Sequence, residues 1–338
     1  MKTLAYTSPL QLTFGESAEP VPQKGSAIIR IKSVGICGTD LHAYEGTQPY
    51  FTYPRIPGHE LAGDLVDTGG AAGFQPLEKV TFLPYFNCGH CVACRRNRPN
   101  CCANLRVFGV HMDGGLSEFV SVPSSFLVHG EGLSYDDLSL VEPLAIGAHG
   151  VARAAIEPGE FVLVMGAGPI GLGTMELAIL KGAKVIALDT NNNRLSFCAH
   201  HLNVHATIDP TTEDVTGQLR ALTNGEMPTV VIDATGNINA INKGLDYLAH
   251  SGTYVLIGLQ KENFSFSHPE FHKRETTLMS SRNATRADFE YVIKNIRNGL
   301  LKPQKYITRR IPFENMLTEF PRLFDADTTV IKAMVMML

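Results

Sequence analysis

Seven cysteines in a chain of 338 residues fall into a cluster and three outliers. Cys88, Cys91, Cys94 and Cys102 follow the spacing C-x2-C-x2-C-x7-C. Two intervening residues let neighbouring thiolates converge on one small ion, and a more distant fourth closes a tetrahedron, which is what a structural Zn²⁺ requires. The competing reading is a pair of disulfides. An odd cysteine count, with Cys37, Cys101 and Cys198 outside the set, favours zinc. Cys101 reads as a spare, with a substitute ligand as the alternative. A closed four-thiolate shell does no chemistry.

Chemistry needs an open shell, and a second group of donors supplies the residue types for one. Cys37 lies in Val34-Gly-Ile-Cys-Gly-Thr-Asp-Leu-His42, His59-Glu60 ends Ile56-Pro-Gly-His-Glu60, and Glu142 lies in Val141-Glu-Pro-Leu144. One thiolate, one imidazole and one or two carboxylates leave room for water or substrate on a metal, the pattern of a catalytic zinc. Each residue also has a bland reading, since a cysteine is often a small buried hydrophobe and Glu-Pro often just ends an element. Spacing alone does not join them.

The third chemical signal is Gly166-Ala-Gly168-Pro169-Ile170-Gly171, directly after the apolar run Phe161–Met165 and opening a segment that runs towards Lys181. The first glycine permits a tight turn, the second lets the backbone approach a pyrophosphate, and the third lets helix and strand pack closely. The helix N-terminus offers N–H groups to the phosphates. Asp189, at the end of the next strand-like run, can accept both hydroxyls of an adenosine ribose and repels a 2′-phosphate, so NAD is expected over NADP. Arg194 is a further residue in reach of the ribose.

These groups must be positioned by elements of two textures. Up to about residue 150 the chain is rich in Gly and Pro, with short β-like runs such as Ala27–Ile31 and Leu116–Val122, which predicts an irregular, mostly antiparallel β domain. From residue 151 to 284, Phe161–Met165, Val185–Leu188, Val230–Asp233 and Tyr254–Ile257 are apolar runs between helix-like segments, the mark of a parallel sheet covered on both faces. In residues 285–338, Phe289, Val292, Ile293, Ile296 and Leu300 recur at helical spacing, with Gly299 near the expected stop, and Val330–Met336 reads as a strand returning to the first domain.

Bulk properties exclude several classes. A formal net charge of −4 leaves no basic footprint for nucleic acid or anionic membrane. The start MKTLAYTSPLQLTF lacks a signal-peptide layout, and the apolar stretch Phe161–Leu180 is broken by glycines, Pro169 and Glu176, so a cytoplasmic enzyme with a small-molecule substrate is expected.

Taken together, Gly-Ile-Cys37-Gly-Thr-Asp, Gly-His59-Glu60, the four-cysteine lobe, Glu142-Pro-Leu and Gly-Ala-Gly168-Pro-Ile-Gly resemble the medium-chain zinc-dependent alcohol and polyol dehydrogenases. The resemblance implies an α/β chain: a chaperonin-like (GroES-like) β catalytic domain holding both zincs, interrupted by a Rossmann domain. It implies that Cys37 and His59 ligate the catalytic zinc, with Glu60 or Glu142 as the third ligand. It also implies oxidation of a zinc-bound alcohol, with hydride passing to a nicotinamide ring in the cleft between domains. Thr39 and His42 occupy the family's proton-relay positions, Asp40 is the partner that orients His59, and dimers or tetramers are expected.

For the substrate, Arg282, Asn283, Tyr44, Tyr50 and Phe108 are the polar or aromatic candidates. His272, Lys273 and Arg274 read as structural. Gln48–Arg55, Gly109–Gly115, Pro269–Lys273 and Ser281–Thr285 resemble a sugar-acid branch, the bacterial L-galactonate 5-dehydrogenases, which form tagaturonate with NAD. Sorbitol, L-idonate and threonine dehydrogenases are the alternatives within the family. A non-catalytic NAD- and zinc-binding protein would have no need of an open metal shell, and a zinc hydrolase would leave the glycine-rich turn idle.

Overall fold

The computed structural model describes residues 1–212, 214–324 and 329–337. The chain forms two compact units, Met1–Glu142 with Thr285–Leu338, and Pro143–Ala284.

Alternating apolar residues build the first unit around a seven-stranded sheet. Its order is Ile307–Pro312, Lys332–Met336, Ser26–Gly35, Glu60–Asp67, Lys79–Phe82 and Leu127–His129, with Phe119–Pro123 also paired to Ser26–Gly35. Lys332–Met336 runs antiparallel to Ser26–Gly35, and Ile307–Pro312 runs parallel to Lys332–Met336. Ile29, Ile31, Leu65, Val80, Phe82, Ile311 and Val335 fill the core of this unit. A two-stranded ribbon, Tyr85–Phe86 with Arg106–Val107, brackets the cysteine lobe.

The tail helix runs Arg286–Arg297, opened by a capping box of Thr285 and Asp288. Phe289, Val292, Ile293 and Ile296 are buried on it, as their spacing demands. Leu300 is not part of that face. It follows Gly299, whose φ of 71° ends the helical path, and it is 55% exposed. Leu116 likewise lies ahead of its expected strand, buried, with its carbonyl accepting from the Leu4 N–H.

The second unit is a six-stranded parallel sheet in the order Ala206–Ile208, Lys184–Leu188, Phe161–Met165, Val230–Asp233, Thr253–Leu256 and Thr277–Ser280. Numbered along the chain, that order is 3-2-1-4-5-6, the doubly wound arrangement of Rossmann sheets. The strands are near-continuous apolar runs because helices cover both faces. Ala206–Ile208 and Thr277–Ser280 are edge strands too short or too polar to announce themselves by hydrophobicity.

The first boundary falls at Glu142–Pro143, inside the helix Val141–Ala154, and not at residue 150. Packing is the reason. Gly147 and Gly150 lie so close to Thr174 and Ile257 that an added Cβ would stand 2.9 and 2.4 Å from them.

Candidate active site

The four cysteines of the lobe converge. Their sulfurs all lie within 4.8 Å of one another, with separations of 3.5 Å for Cys91–Cys94, 3.9 Å for Cys91–Cys102 and 3.4 Å for Cys102–Cys88. A disulfide needs about 2.05 Å. A tetrahedron with Zn–S bonds of about 2.3 Å has edges of about 3.8 Å. All seven cysteines are free, so the geometry fits zinc and excludes bridges. Backbone N–H groups of His90 and Cys91 pull the Cys88 thiol down to about 6, and those of Cys94 and Ala103 lower Cys91, whereas burial pushes Cys102 up to about 11. Two thiols are thus easily deprotonated to receive a cation. Cys101 is exposed and outside the set.

The open shell is assembled from the sheet of the first unit. Ser26–Gly35 delivers Cys37 to the N-terminus of the helix Gly38–Glu45, and His59 leads into the strand Glu60–Asp67, where Glu60 pairs in register with Gly35. The donor atoms of Cys37, His59 and Glu60 lie within 4.8 Å of one another. Asp40 accepts the Cys37 N–H at 2.9 Å, and its other oxygen faces His59 Nδ1 at 3.8 Å. At that distance the carboxylate faces the ring electrostatically without a hydrogen bond, and Nδ1 is buried with no hydrogen-bond partner among the described residues. Burial alone would lower the His59 pKa, yet Asp40, the bond to Cys37 and the Glu142 charge lift it well above its ordinary value. Surroundings that raise it in this way favour a positive charge.

Glu142 stands beside this trio without joining it. Tyr85 donates its hydroxyl to Glu142 Oε1. Burial, with the Glu60 charge adding to it, pushes Glu142 up to about 7. Glu60 Oε1 and Glu142 Oε2 are buried with no hydrogen-bond partner among the described residues. Unpaired carboxylate oxygens are costly in an interior, and a divalent cation with its bound water would satisfy both. The donor set therefore fits zinc.

Two members of this site escaped the sequence reading. Tyr85 lies in a two-residue strand and gave no signal. Lys332 did give one, as the single charge in the apolar run Val330–Met336. It is 1% exposed, ion-paired to Glu60 Oε2 and bonded to the Ile36 carbonyl at 2.9 Å.

The glycine-rich turn occupies the C-terminal end of the central strand Phe161–Met165, where the strand order reverses against Val230–Asp233. Gly166 has a φ of 95°, and an added Cβ on Gly171 would lie 1.8 Å from the Gly166 carbonyl oxygen. Nothing lies within 4 Å of the Cβ position of Gly168, the N-cap of the helix Pro169–Leu180, so the backbone there is open to a ligand. Asp189 accepts the Ala167 N–H at 2.6 Å and the Asn191 N–H at 2.8 Å, one on each oxygen. This fixes the carboxylate while leaving lone pairs for ribose hydroxyls. Arg194 lies in the first turn of the helix Asn192–His201, its N–H bonded to Asn191 Oδ1 at 3.2 Å.

Residues 23–132 match the alcohol dehydrogenase GroES-like domain, and residues 169–298 match the zinc-binding dehydrogenase family. Over 336 residues the chain is 43% identical to the L-galactonate-5-dehydrogenase of Escherichia coli K12, covering 99% of this chain and 98% of that protein. The chain is a zinc-dependent medium-chain alcohol dehydrogenase. Its fold superposes with a TM-score of 0.92 on the RspB alcohol dehydrogenase of E. coli CFT073 complexed with NADH, at 29% identity over 99% of each chain. A zinc-binding dehydrogenase from Sinorhizobium meliloti bound to NADP superposes with a TM-score of 0.90, at 28% identity over 99% of this chain and 98% of that one.

Both dinucleotides therefore occur on this fold, and the expectation that Asp189 discriminates between them can be tested. Asp189→Asn is expected to raise KM for NAD about 10- to 100-fold, the loss of one or two hydrogen bonds to a charged group. Initial rates with NAD and NADP check this, and an unchanged KM would remove Asp189 from the ribose site.

Substrate candidates divide less evenly. Tyr50 is exposed, its ring 6.1 Å from that of His111. Phe108 is 3% exposed and packed edge-on against Phe82 and Phe86, and Tyr44 is buried against Tyr6, Phe320 and Phe324. Their rings are consumed by the core, so both are withdrawn as substrate contacts. Arg282 is exposed and Asn283 half-buried with a φ of 52°, just past the strand Thr277–Ser280 of the second unit. Among the described residues of the dehydrogenase, no helix is long and apolar enough to cross a membrane.

Proposed function

We propose that this dehydrogenase oxidises the C5 hydroxyl of L-galactonate to the ketone D-tagaturonate, with NAD as hydride acceptor. The carrying observation is the 43% identity across 99% of the chain to an L-galactonate-5-dehydrogenase. In this reading Cys37, His59 and Glu60 hold the catalytic zinc, and Cys88, Cys91, Cys94 and Cys102 hold the structural one. Gly166, Gly168, Pro169, Ile170, Gly171, Asp189 and Arg194 receive NAD.

Zinc supplies Lewis acidity toward the substrate hydroxyl, and NAD supplies the hydride acceptor. The protein's own groups do the rest. Asp40 places a negative charge beside the His59 ring. Tyr85, whose pKa burial and the Glu142 charge raise well above the phenol range, remains a donor and holds Glu142 by one oxygen. The other Glu142 oxygen is left to bond water or a substrate hydroxyl. Thr39, half-buried in the first turn of Gly38–Glu45, takes the substrate proton outward. His42, one turn further along the same helix, is exposed and bonded to Glu45 and Thr47 at 3.3 Å each, a place from which a proton reaches solvent. Tyr50 is assigned to the substrate's hydroxyls.

An NADH absorbance assay over L-galactonate, L-idonate, sorbitol and L-threonine tests the reading. The highest kcat/KM should belong to L-galactonate, and a higher value for any other substrate overturns that assignment. His42→Gln is expected to lower kcat about 10- to 100-fold and to alter its pH profile. An unchanged profile would take His42 out of the proton path.

A further inference from the structure

Lys332 is the charged residue the proposed mechanism leaves without a task. A lysine at 1% exposure in the middle of a sheet needs partners, and those it has are specific. Its ammonium pairs with Glu60 Oε2 and donates to the carbonyl of Ile36, the residue before Cys37. The same oxygen is confined from a second side. An added Cβ on Gly35 would stand 2.0 Å from Glu60 Oε2, so the α-carbon of Gly35 forms one wall of its niche. Neither Glu60 oxygen has a hydrogen-bond partner among the described residues, but Oε2 has the ammonium as its ion-pair partner and buried Oε1 is given none.

We propose that Lys332 and Gly35 together lock Oε2 away, so that Glu60 can offer a metal only Oε1. One-oxygen ligation matters because a carboxylate free to bind through both oxygens would fill the coordination position that the substrate must take. Lys332 is in this sense a positioning residue. It acts through Glu60, and it ties the segment carrying Cys37 to the strand beginning at Glu60. The inference rests on the reading that Cys37, His59 and Glu60 hold the catalytic metal.

The test exchanges the catalytic metal alone for Co²⁺, with zinc retained in the four-cysteine site, and reads the visible cobalt bands without substrate or NAD. In Lys332→Gln, with Oε2 released, the bands should weaken severalfold and move to longer wavelength as the coordination number rises. Lys332→Arg, which keeps a cation on Oε2, should keep the wild-type spectrum. Wild-type bands in Lys332→Gln would overturn the proposal. So would an equal change in Lys332→Arg, because packing and not the latch would then be responsible. Should Lys332→Gln fail to fold, Gly35→Ala displaces Oε2 from the opposite side and should produce the same spectral change, and its absence would count against the latch. Cys37→Ala separates the two levels of the argument. If it takes up cobalt with unaltered bands, the metal is elsewhere and the site assignment fails.

Discussion

Cys37→Ser should cut kcat/KM by about 10⁴-fold or more, the rate equivalent of several kcal/mol of lost metal stabilisation. The reason lies in the donor set. With the thiolate replaced by a neutral hydroxyl, His59 and Glu60 remain as the buried pair, and two ligands do not hold zinc in competition with water. The substitution is small and placed at a helix N-cap, where serine is well tolerated, so the fold should survive. Metal analysis on the purified variant should find one zinc fewer per chain than wild type, and thermal melting should change little. Activity within tenfold of wild type, or unchanged zinc content, would sink the assignment of Cys37.

The opposite pattern is expected at the lobe. Cys94→Ser, or chelation of the lobe metal, should lower Tm by about 10 °C or more while KM for NAD stays close to wild type. Between Cys88 and Arg106 only Asn100, Cys102 and Leu105 are buried, so the segment has almost no hydrophobic core of its own. Structural zinc contributes about 10–16 kcal/mol to small metal-folded domains. Loss of about 4 kcal/mol would already move Tm by about 8–16 °C at the conversion for larger domains. Differential scanning calorimetry with zinc analysis decides the matter. A melting curve unaffected by loss of the metal would show that the lobe is held by something else.

The contrast between these two experiments also shows what could be read from the sequence. The cysteine quartet was legible because its ligands are local, and a spacing of two residues is already a geometry. The glycine-rich turn was legible for the same reason, with strand, turn, helix and Asp189 all within one βαβ unit. Cys37 and His59 were joined by resemblance and not by spacing, because they sit on separate segments that only the sheet brings together. Lys332, despite its lone charge in an apolar run, and Tyr85 could not be placed in the site for a stronger reason. Each reaches its carboxylate from a distant segment, Lys332 from a strand that pairs with Ser26–Gly35 across almost the whole chain. The misassigned aromatics, Phe108 and Tyr44, have the opposite history. An aromatic ring suits a binding surface and a core equally well, and only burial separates the two.

That late strand has a consequence for how the protein is made. A ribosome delivers the four lobe cysteines by residue 102, and the whole of Pro143–Ala284 before the strand Lys332–Met336 exists. The lobe can take its ion, and the dinucleotide unit can fold, while the nascent chain is still growing. The catalytic shell cannot be finished in that interval, since its neutralising ammonium and the strand beside Ser26–Gly35 follow Pro143–Ala284 in the chain. The ligands of the lobe are thus complete long before the shell around Glu60 has its neutralising ammonium.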